Sequence, residues 1–406
     1  MKVFFFLCVV LTASLSFAAD YVVVVSVDGL RKDAIETLMA GGELPTFSRL
    51  QREGVWTHNA RTDYHYTATL PNHACMITGR PVLGGNGHAY TSNGNPASSE
   101  TYHSNKGSYV AGFFDVAHDH GLTTAFHRSK SKLVIVDQSY SAIAGAADTT
   151  GDDNGAAKID VIKFNETDEK SDVLVEIWKT DMLASPIDLS FVHLVDTDRA
   201  GHGGNWDNPD YMDAVRRIDS YLKTIMDTVD GSAPYSGRTT LIVTADHGGE
   251  GSAHSNASDS ENYTIPLYVW GADIHAAGDL YALNSASRLD PGTGRPLTSA
   301  AIQPVRNGDA GNLALDLLGL PSIPDSFFNV AQDLNVTDPE SNRVAIQRLP
   351  AGDAQLRWAT GVSATVKVSE DLVTWENAQG DWPMDTGYWI DAFSEELRYY
   401  RVVLER

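Results

Sequence analysis

A chain of 406 residues with 42% hydrophobic content is long enough to bury one large core, or one large domain plus a small one. Its net charge of −23 argues against a nucleic-acid polymer or an anionic membrane as partner, since both are bound through an excess of positive charge. A small anionic substrate would need positive charge supplied locally, which bound metal ions can provide.

In chain order, Lys2 is followed by an apolar run from Val3 to Leu11 and then by small residues ending in Ser16-Phe17-Ala18-Ala19. A basic start, a short apolar stretch and a small-residue cleavage site make residues 1–19 a secretory signal. No segment reaches the roughly 20 apolar residues that a membrane helix needs. The mature chain is therefore expected to have no transmembrane segment and to be exported, to a periplasm or the extracellular space. Loss of the signal removes Lys2, taking the charge from −23 to −24, and removes Cys8, leaving Cys75 without a disulfide partner.

Residues 20–340 read as alternating strands and helices. Tyr21 to Val27 is a continuous apolar, β-branched run, the pattern of a strand buried on both faces. Similar runs are Leu189 to Val195, Thr239 to Thr244 and Ile265 to Trp270, with a shorter one at Thr123 to Phe126. From Pro209 to Val229, Tyr211, Val215, Ile218, Leu222, Ile225 and Val229 recur at helical steps. This alternation predicts an α/β fold with a mostly parallel central sheet flanked by helices. Residues 81–108, rich in Gly, Asn, Ser and Thr, read as a long loop, either shaping a pocket or making a surface excursion. Beyond Pro350-Ala-Gly, short alternating stretches (Gln355 to Ala359, Ala364 to Val368, Tyr399 to Leu404) contain Trp358, Trp375, Trp382 and Trp389, half of the eight tryptophans. Residues 345–406 are expected to form a small all-β module that contacts glycan or a surface, or simply packs as an appendage.

Four segments place acidic, imidazole or hydroxyl groups where strands end. Asp28, in Ser26-Val27-Asp28-Gly29, lies at the carboxyl end of a buried strand, where open α/β sheets form their sites. In the segment from Asp196 to His202, Asp198 and His202 are four residues apart, so a turn or short helix can aim both at one ion. Asp196 is a competitor, read instead as a helix cap or loop partner. Asp246 and His247 are adjacent, and Gly248 and Gly249 permit the backbone turn that would converge them. His254 follows in a polar loop. Three carboxylates and three imidazoles suffice for two ions when a hydroxyl completes one set. That hydroxyl is expected at Thr69, in Thr67-Ala68-Thr69-Leu70-Pro71-Asn72-His73, with Thr67 its rival. Pro71 is suited to open a helix, which puts Thr69 just before an amino terminus, where backbone N–H groups favour anions.

These motifs, Ser-Val-Asp-Gly, Thr-Leu-Pro-Asn-His, Asp-x-x-Gly-His and Asp-His-Gly followed by a later His, resemble the alkaline phosphatase superfamily. The likeness is greatest to its type I phosphodiesterase / nucleotide pyrophosphatase branch and covers roughly residues 21–330. The resemblance implies two divalent ions, expected to be zinc: one held by Asp28, Thr69, Asp246 and His247, the other by Asp198, His202 and His254. It implies attack of Thr69 on the phosphorus of a small phosphate ester, a covalent phosphothreonine, and hydrolysis of that intermediate by water. Relatives place an asparagine after the nucleophile helix to bind a phosphoryl oxygen. Asn93 is the candidate here, with Asn86 and Asn95 as rivals. In His127-Arg128-Ser129-Lys130, Lys130 or Arg128 is a candidate to hold a terminal phosphate dianion, against the alternative of a solvated basic loop.

The Thr-Leu-Pro-Asn-His segment leans towards diester substrates, a functional Lys130 towards monoesters, and phosphonate cleavage is a third option. A sulfatase is disfavoured because Cys75-Met-Ile-Thr-Gly-Arg80 lacks the proline of a sulfatase motif. An inert domain carrying a glycan-binding tail is disfavoured because no expected ligand or nucleophile is missing.

Overall fold

The structure is a computed structural model that describes residues 19–141, 156–165 and 170–337, and shorter stretches between 344 and 405. Apart from Ala19, the expected secretory signal lies outside the described residues. Contacts divide the chain into Ala18–Glu340 and a second unit containing Ser341–Arg406.

The larger unit is built on one sheet of eight strands: β1 (Tyr21–Val27), β2 (Val55–Arg61), β3 (Thr124–Arg128), β4 (Val161–Phe164), β5 (Leu189–Leu194), β6 (Thr239–Ala245), β7 (Thr264–Gly271) and β8 (Gly278–Asp279). Their order is β4-β3-β5-β1-β6-β7-β2-β8. From β4 to β6 every neighbouring pair is parallel, whereas β7 runs antiparallel to both β6 and β2. Val22 to Val25 in the central strand are fully buried, as a parallel strand with helices on both faces must be.

The helices form two packed sets, which together cover both faces of the sheet. One contains Lys32–Ala40, Pro45–Glu53, Ser171–Ala184 and Pro209–Gly231, and the other Thr69–Thr78, Phe113–Asp119 and Asp309–Leu317. Pro209–Gly231 buries the six residues whose spacing predicts it, and Asn208 caps it by accepting the Tyr211 N–H. The strand β2 has no counterpart in the sequence reading. A register shift between Thr57 and Ala60 breaks its two-residue alternation, the signal by which a strand is read.

The stretch at 81–108 is not bare loop. It contains a short helix, Tyr102–Lys106, and is pinned by the buried residues Val82, His88, Tyr90 and Tyr102. Among the described residues no helix is long and apolar enough to cross a membrane.

The second unit contains β9 (Val344–Arg348), β10 (Ala354–Trp358), β11 (Ser363–Ser369), β12 (Glu376–Asn377), β13 (Tyr388–Asp391) and β14 (Tyr399–Glu405). They form two antiparallel three-stranded sheets, β13-β10-β9 and β12-β11-β14. Trp389 is buried and donates its indole N–H to the Gln379 carbonyl at 3.0 Å. Trp375 and Trp382 lie outside the described residues.

Candidate metal centre and nucleophile

Three adjacent parallel strands, β5, β1 and β6, deliver the acidic residues to one edge of the sheet. Val27 is in register with both Leu194 and Ala245, so Asp28, the chain after β5, and Asp246 all emerge together. After β5 the chain enters the helix Asp196–Gly204, and the i, i+4 spacing brings His202 Nε2 to 3.4 Å from Asp198 Oδ1. Two groups result: Asp28, Asp246 and His247, all buried, and Asp198, His202 and His254, of which His202 is exposed. The second group is therefore the open side of the site.

Each carboxylate has one anchored oxygen and one without a hydrogen bond. Asp28 Oδ2 meets His193 Nε2 at 2.9 Å and Lys130 Nζ at 2.7 Å. Asp198 Oδ2 meets Lys130 Nζ at 2.6 Å. Asp246 Oδ1 accepts the Gly29 and His247 N–H groups at 3.0 and 2.9 Å. The remaining oxygens, Asp28 Oδ1, Asp198 Oδ1 and Asp246 Oδ2, are buried and have no hydrogen-bond partner. Leaving such acceptors dry and unmatched is costly unless a cation faces them.

The imidazoles complement those oxygens. His247 Nδ1 donates to the Gly248 carbonyl at 2.7 Å, His254 Nδ1 to the Thr67 carbonyl at 2.7 Å, and His202 Nδ1 to the Ser252 carbonyl at 2.9 Å. A proton on Nδ1 leaves the Nε2 lone pair of each ring for a ligand, the arrangement metal-binding histidines adopt. Those Nε2 atoms point at the unmatched oxygens. His247 lies 3.4 Å from Asp28 Oδ1 and 3.3 Å from Asp246 Oδ2, and His254 lies 3.7 Å from Asp198 Oδ1. Carboxylate and imidazole donors in this proportion suit zinc, and the residues present fit two ions.

The charge balance points the same way, with a single lysine, Lys130, bonded to two of the three buried carboxylates. Burial would raise Asp28, but Lys130, His193 and His247 outweigh it and hold the carboxyl well below its ordinary range. Burial, together with the charges of Asp28 and Asp198, pushes Asp246 well above that range. A cation among the three would favour all of them in their ionised form.

Thr69 Oγ1 lies 3.4 Å from His247 Nε2, beside the buried group. It is the first residue of the helix Thr69–Thr78, not the residue before it. Pro71 is tolerated in the first turn because the first backbone bond of that turn is Asn72 N–H to the Ala68 carbonyl, so proline removes none. Thr67 is occupied elsewhere, its hydroxyl donating to the His254 carbonyl. Two further motif residues act as fasteners. His73 Nδ1 donates to the Thr69 carbonyl at 2.8 Å, and its Nε2 accepts from the Ser26 hydroxyl at 2.9 Å, joining the helix to β1. Neither nitrogen of His73 is left for a metal.

Asp196 turns away from both groups, towards Arg217 and Tyr221 of the long helix, each at 3.2 Å. Arg128 is held by Asp137 at 2.8 Å and lies over the Phe164 ring. Of the two basic candidates, it is Lys130 that reaches the centre. Asn93 Oδ1 accepts the Leu70 N–H at 3.0 Å and the ammonium of Lys132 at 3.1 Å, so Asn93 sits at the amino end of the Thr69 helix. Asn86 and Asn95 are exposed.

Gly248 and Gly249 serve a different purpose from the expected one, since neither adopts a positive φ. A Cβ on Gly248 would lie 1.9 Å from the Glu261 carbonyl oxygen, and one on Gly249 2.0 Å from the Trp206 ring. Gly201, in Asp-x-x-Gly-His, meets the other side of the same constraint, with a Cβ 2.3 Å from Trp206. Trp206 is buried, donates to the Gly29 carbonyl at 3.0 Å, and packs edge-on against His202 with ring centroids 5.2 Å apart. Sequence reasoning missed Trp206, His193 and Lys132. Lys132 carried a signal, two residues beyond Lys130, but His193 sits in an apolar strand and reads there as a core histidine.

Comparison with known proteins gives the family and the fold. The family described as Type I phosphodiesterase / nucleotide pyrophosphatase matches residues 22–264, more than half of the chain. Curated relatives include GPI ethanolamine phosphate transferase 1 of Schizosaccharomyces pombe, 28% identical over 101 residues, which are 25% of this chain and 11% of that protein. The human protein of that name is 34% identical over 85 residues, 21% of this chain and 9% of that protein. The matched stretch thus spans about a tenth of the length of these relatives. Among solved structures, murine ectonucleotide pyrophosphatase / phosphodiesterase 5, an inactive threonine-to-alanine variant in complex with AMP, has a TM-score of 0.51 at 14% identity, over 75% of this chain and 96% of that one. An alkaline phosphatase superfamily protein from Vibrio parahaemolyticus has a TM-score of 0.50 at 14% identity, over 89% of this chain and 83% of that one.

Proposed function

Since the chain belongs to the type I phosphodiesterase / nucleotide pyrophosphatase family, we propose that it is a phosphoric ester hydrolase that works through Thr69 and two divalent ions, zinc by preference. The observation that carries this reading is the pairing of three unmatched carboxylate oxygens with three imidazole Nε2 lone pairs, in two groups beside one hydroxyl. Asp28, Asp246, His247 and Thr69 would hold one ion, and Asp198, His202 and His254 the other. When bound, the ions supply Lewis-acid charge that favours the ionised hydroxyl and the departing oxygen.

The chain's own residues do the rest. Thr69 Oγ1 attacks phosphorus in line, its P–O bond forming as the leaving alkoxide departs towards the open side marked by His202. The phosphothreonine is then cleaved by water entering from the same side, returning the threonine hydroxyl and releasing phosphate or its monoester. Asn93, whose Oδ1 accepts the Leu70 N–H, would offer its amide Nδ2 to a phosphoryl oxygen. The make-up of residues 1–19 supports export, and the net charge supports a small substrate over a nucleic-acid polymer. The second unit is proposed to contact glycan or a surface.

Family membership favours a phosphodiester or pyrophosphate substrate. A second reading, a phosphomonoester, is favoured by Lys130, whose ammonium sits between Asp28 and Asp198. With Lys132 beside Asn93, the site offers two cations to a dianion.

The deciding experiment compares wild type with Thr69→Ala on paired nitrophenyl phosphate monoester, diester and sulfate, with zinc content measured on both. About two zinc ions in each, one ester class hydrolysed by wild type and that hydrolysis reduced at least ~10³-fold in the variant is the expected result. An active Thr69→Ala protein would overturn the assignment of the nucleophile.

A further inference from the structure

His193 is the one imidazole at the centre whose proton lies on the other nitrogen. Its Nε2 is 2.9 Å from Asp28 Oδ2, and only a protonated nitrogen bonds a carboxylate oxygen at that distance. Its Nδ1 is therefore an acceptor, and the Ser129 backbone N–H donates to it at 3.4 Å, with the Ser129 hydroxyl oxygen 3.0 Å away. The single proton of that hydroxyl is donated to the His193 carbonyl at 2.8 Å. Both residues are fully buried, so water does not compete for these bonds. His193 leaves β5 one position before the strand ends, in register with Ser26 on β1, which places the ring directly behind Asp28.

We propose that His193 is a positioning residue for the first ion: it occupies Asp28 Oδ2, and so determines that Oδ1 is the oxygen presented to the metal. The inference rests on the two-ion reading of the site and goes beyond it, because His193 touches neither ion nor substrate. The physical reason is that a free carboxylate can rotate about its Cβ–Cγ bond and present either oxygen. A donor on Oδ2 removes that freedom. Lys130 also contacts Oδ2, but an ammonium on a flexible stem holds a charge without fixing a direction, whereas the ring of His193 is locked at both nitrogens. The neighbouring His73 cannot substitute, since its Nδ1 and Nε2 are committed to Thr69 and Ser26.

Two substitutions separate this role from packing. The side-chain amide of His193→Gln extends to where Nε2 lies and keeps a donor for Asp28. His193→Asn ends where Nδ1 lies and loses it. Zinc affinity, measured on the full chain by competition with a chromogenic chelator, is expected to fall 10–100-fold for one of two ions in His193→Asn. In His193→Gln it should stay within threefold of wild type. An Asn variant as tight as wild type would overturn the proposal, and so would equal weakening in both variants, which would mark a packing effect. Zinc-free circular dichroism checks that both variants fold. A second measurement needs no variant to fold: proton–nitrogen correlation spectra of histidine-labelled wild type should assign His193 the Nε2–H tautomer and His202, His247 and His254 the Nδ1–H tautomer. His193 in the Nδ1–H form would overturn the proposal. A wild-type chain that binds no zinc would instead sink the two-ion reading, and this inference with it.

Discussion

Thr67 and His254 are joined twice: the Thr67 hydroxyl donates to the His254 carbonyl, and His254 Nδ1 donates to the Thr67 carbonyl at 2.7 Å. The pair ties His254 of the open group to the chain two residues before Thr69. On the proposed reading, one clamp would set both the metal position and the nucleophile position. Thr67→Val removes one of the two bonds and leaves the His254 tautomer in place. The expected cost is about 1–3 kcal/mol of stability, with turnover restored by excess zinc. Rescue is the discriminating measurement, because Thr69→Ala is not expected to be rescued at any zinc concentration.

Trp206 fills the space that Gly201 and Gly249 leave. In Gly201→Ala the new methyl meets the indole at a distance no real contact allows, and the ring must shift off His202. A stability loss of about 1–3 kcal/mol is expected, together with zinc content falling from about two ions towards one. A variant that retained full zinc content would show that Trp206 is packing alone.

Lys130 and Lys132 are the two ammonium groups that the monoester reading assigns to a doubly charged phosphate. Replacing Lys132 by Met leaves Asp28 and Asp198 paired with Lys130 and removes only the cation beside Asn93. If the substrate is a monoester, kcat/KM for it should fall about 10–100-fold, the loss of one charge-assisted bond, with nitrophenyl diester hydrolysis changed far less. Equal effects on both substrates would count against a dianion at this position.

Metal removal should also be visible in stability. Zinc at a hundred times its dissociation constant is expected to stabilise the chain by about 2.7 kcal/mol per site. The apparent Tm should drop in chelator and return with zinc. The effect should shrink in acid, because imidazole must be deprotonated to bind metal. A Tm indifferent to chelator would contradict the two-ion reading.

Away from the centre, His88 offers a test of acid sensitivity. It is fully buried, its Nδ1 accepts the Tyr90 N–H at 3.1 Å, and burial pulls its pKa from 6.5 down to about 3. The unfolded chain takes up a proton near pH 6.5 and the folded chain does not. The stability associated with neutral His88 is therefore complete above that pH and is lost as pH falls towards 3. At pH 5 the loss amounts to about 2 kcal/mol. Urea unfolding of zinc-free protein at pH 7 and pH 5 should show wild type losing that much more than His88→Gln. Parallel losses would refute it.

The sequence by itself determined the parts that are local or periodic. Buried β-branched runs specify β1, β5 and β6, and three- and four-residue spacing specifies the helix Pro209–Gly231, because each signal lies within one element. The residues that meet at the centre were legible too, as acidic and imidazole side chains just beyond strand ends. Tertiary structure alone decided which oxygen of each aspartate stays unmatched, which nitrogen of each histidine carries the proton, and that Thr67 is a clamp. It also decided the contacts of His193 and Trp206. Those outcomes depend on partners far apart in the chain, such as His193 and Asp28, separated by 165 residues. A hydrogen bond or a ring contact between such residues leaves no mark on the spacing of either.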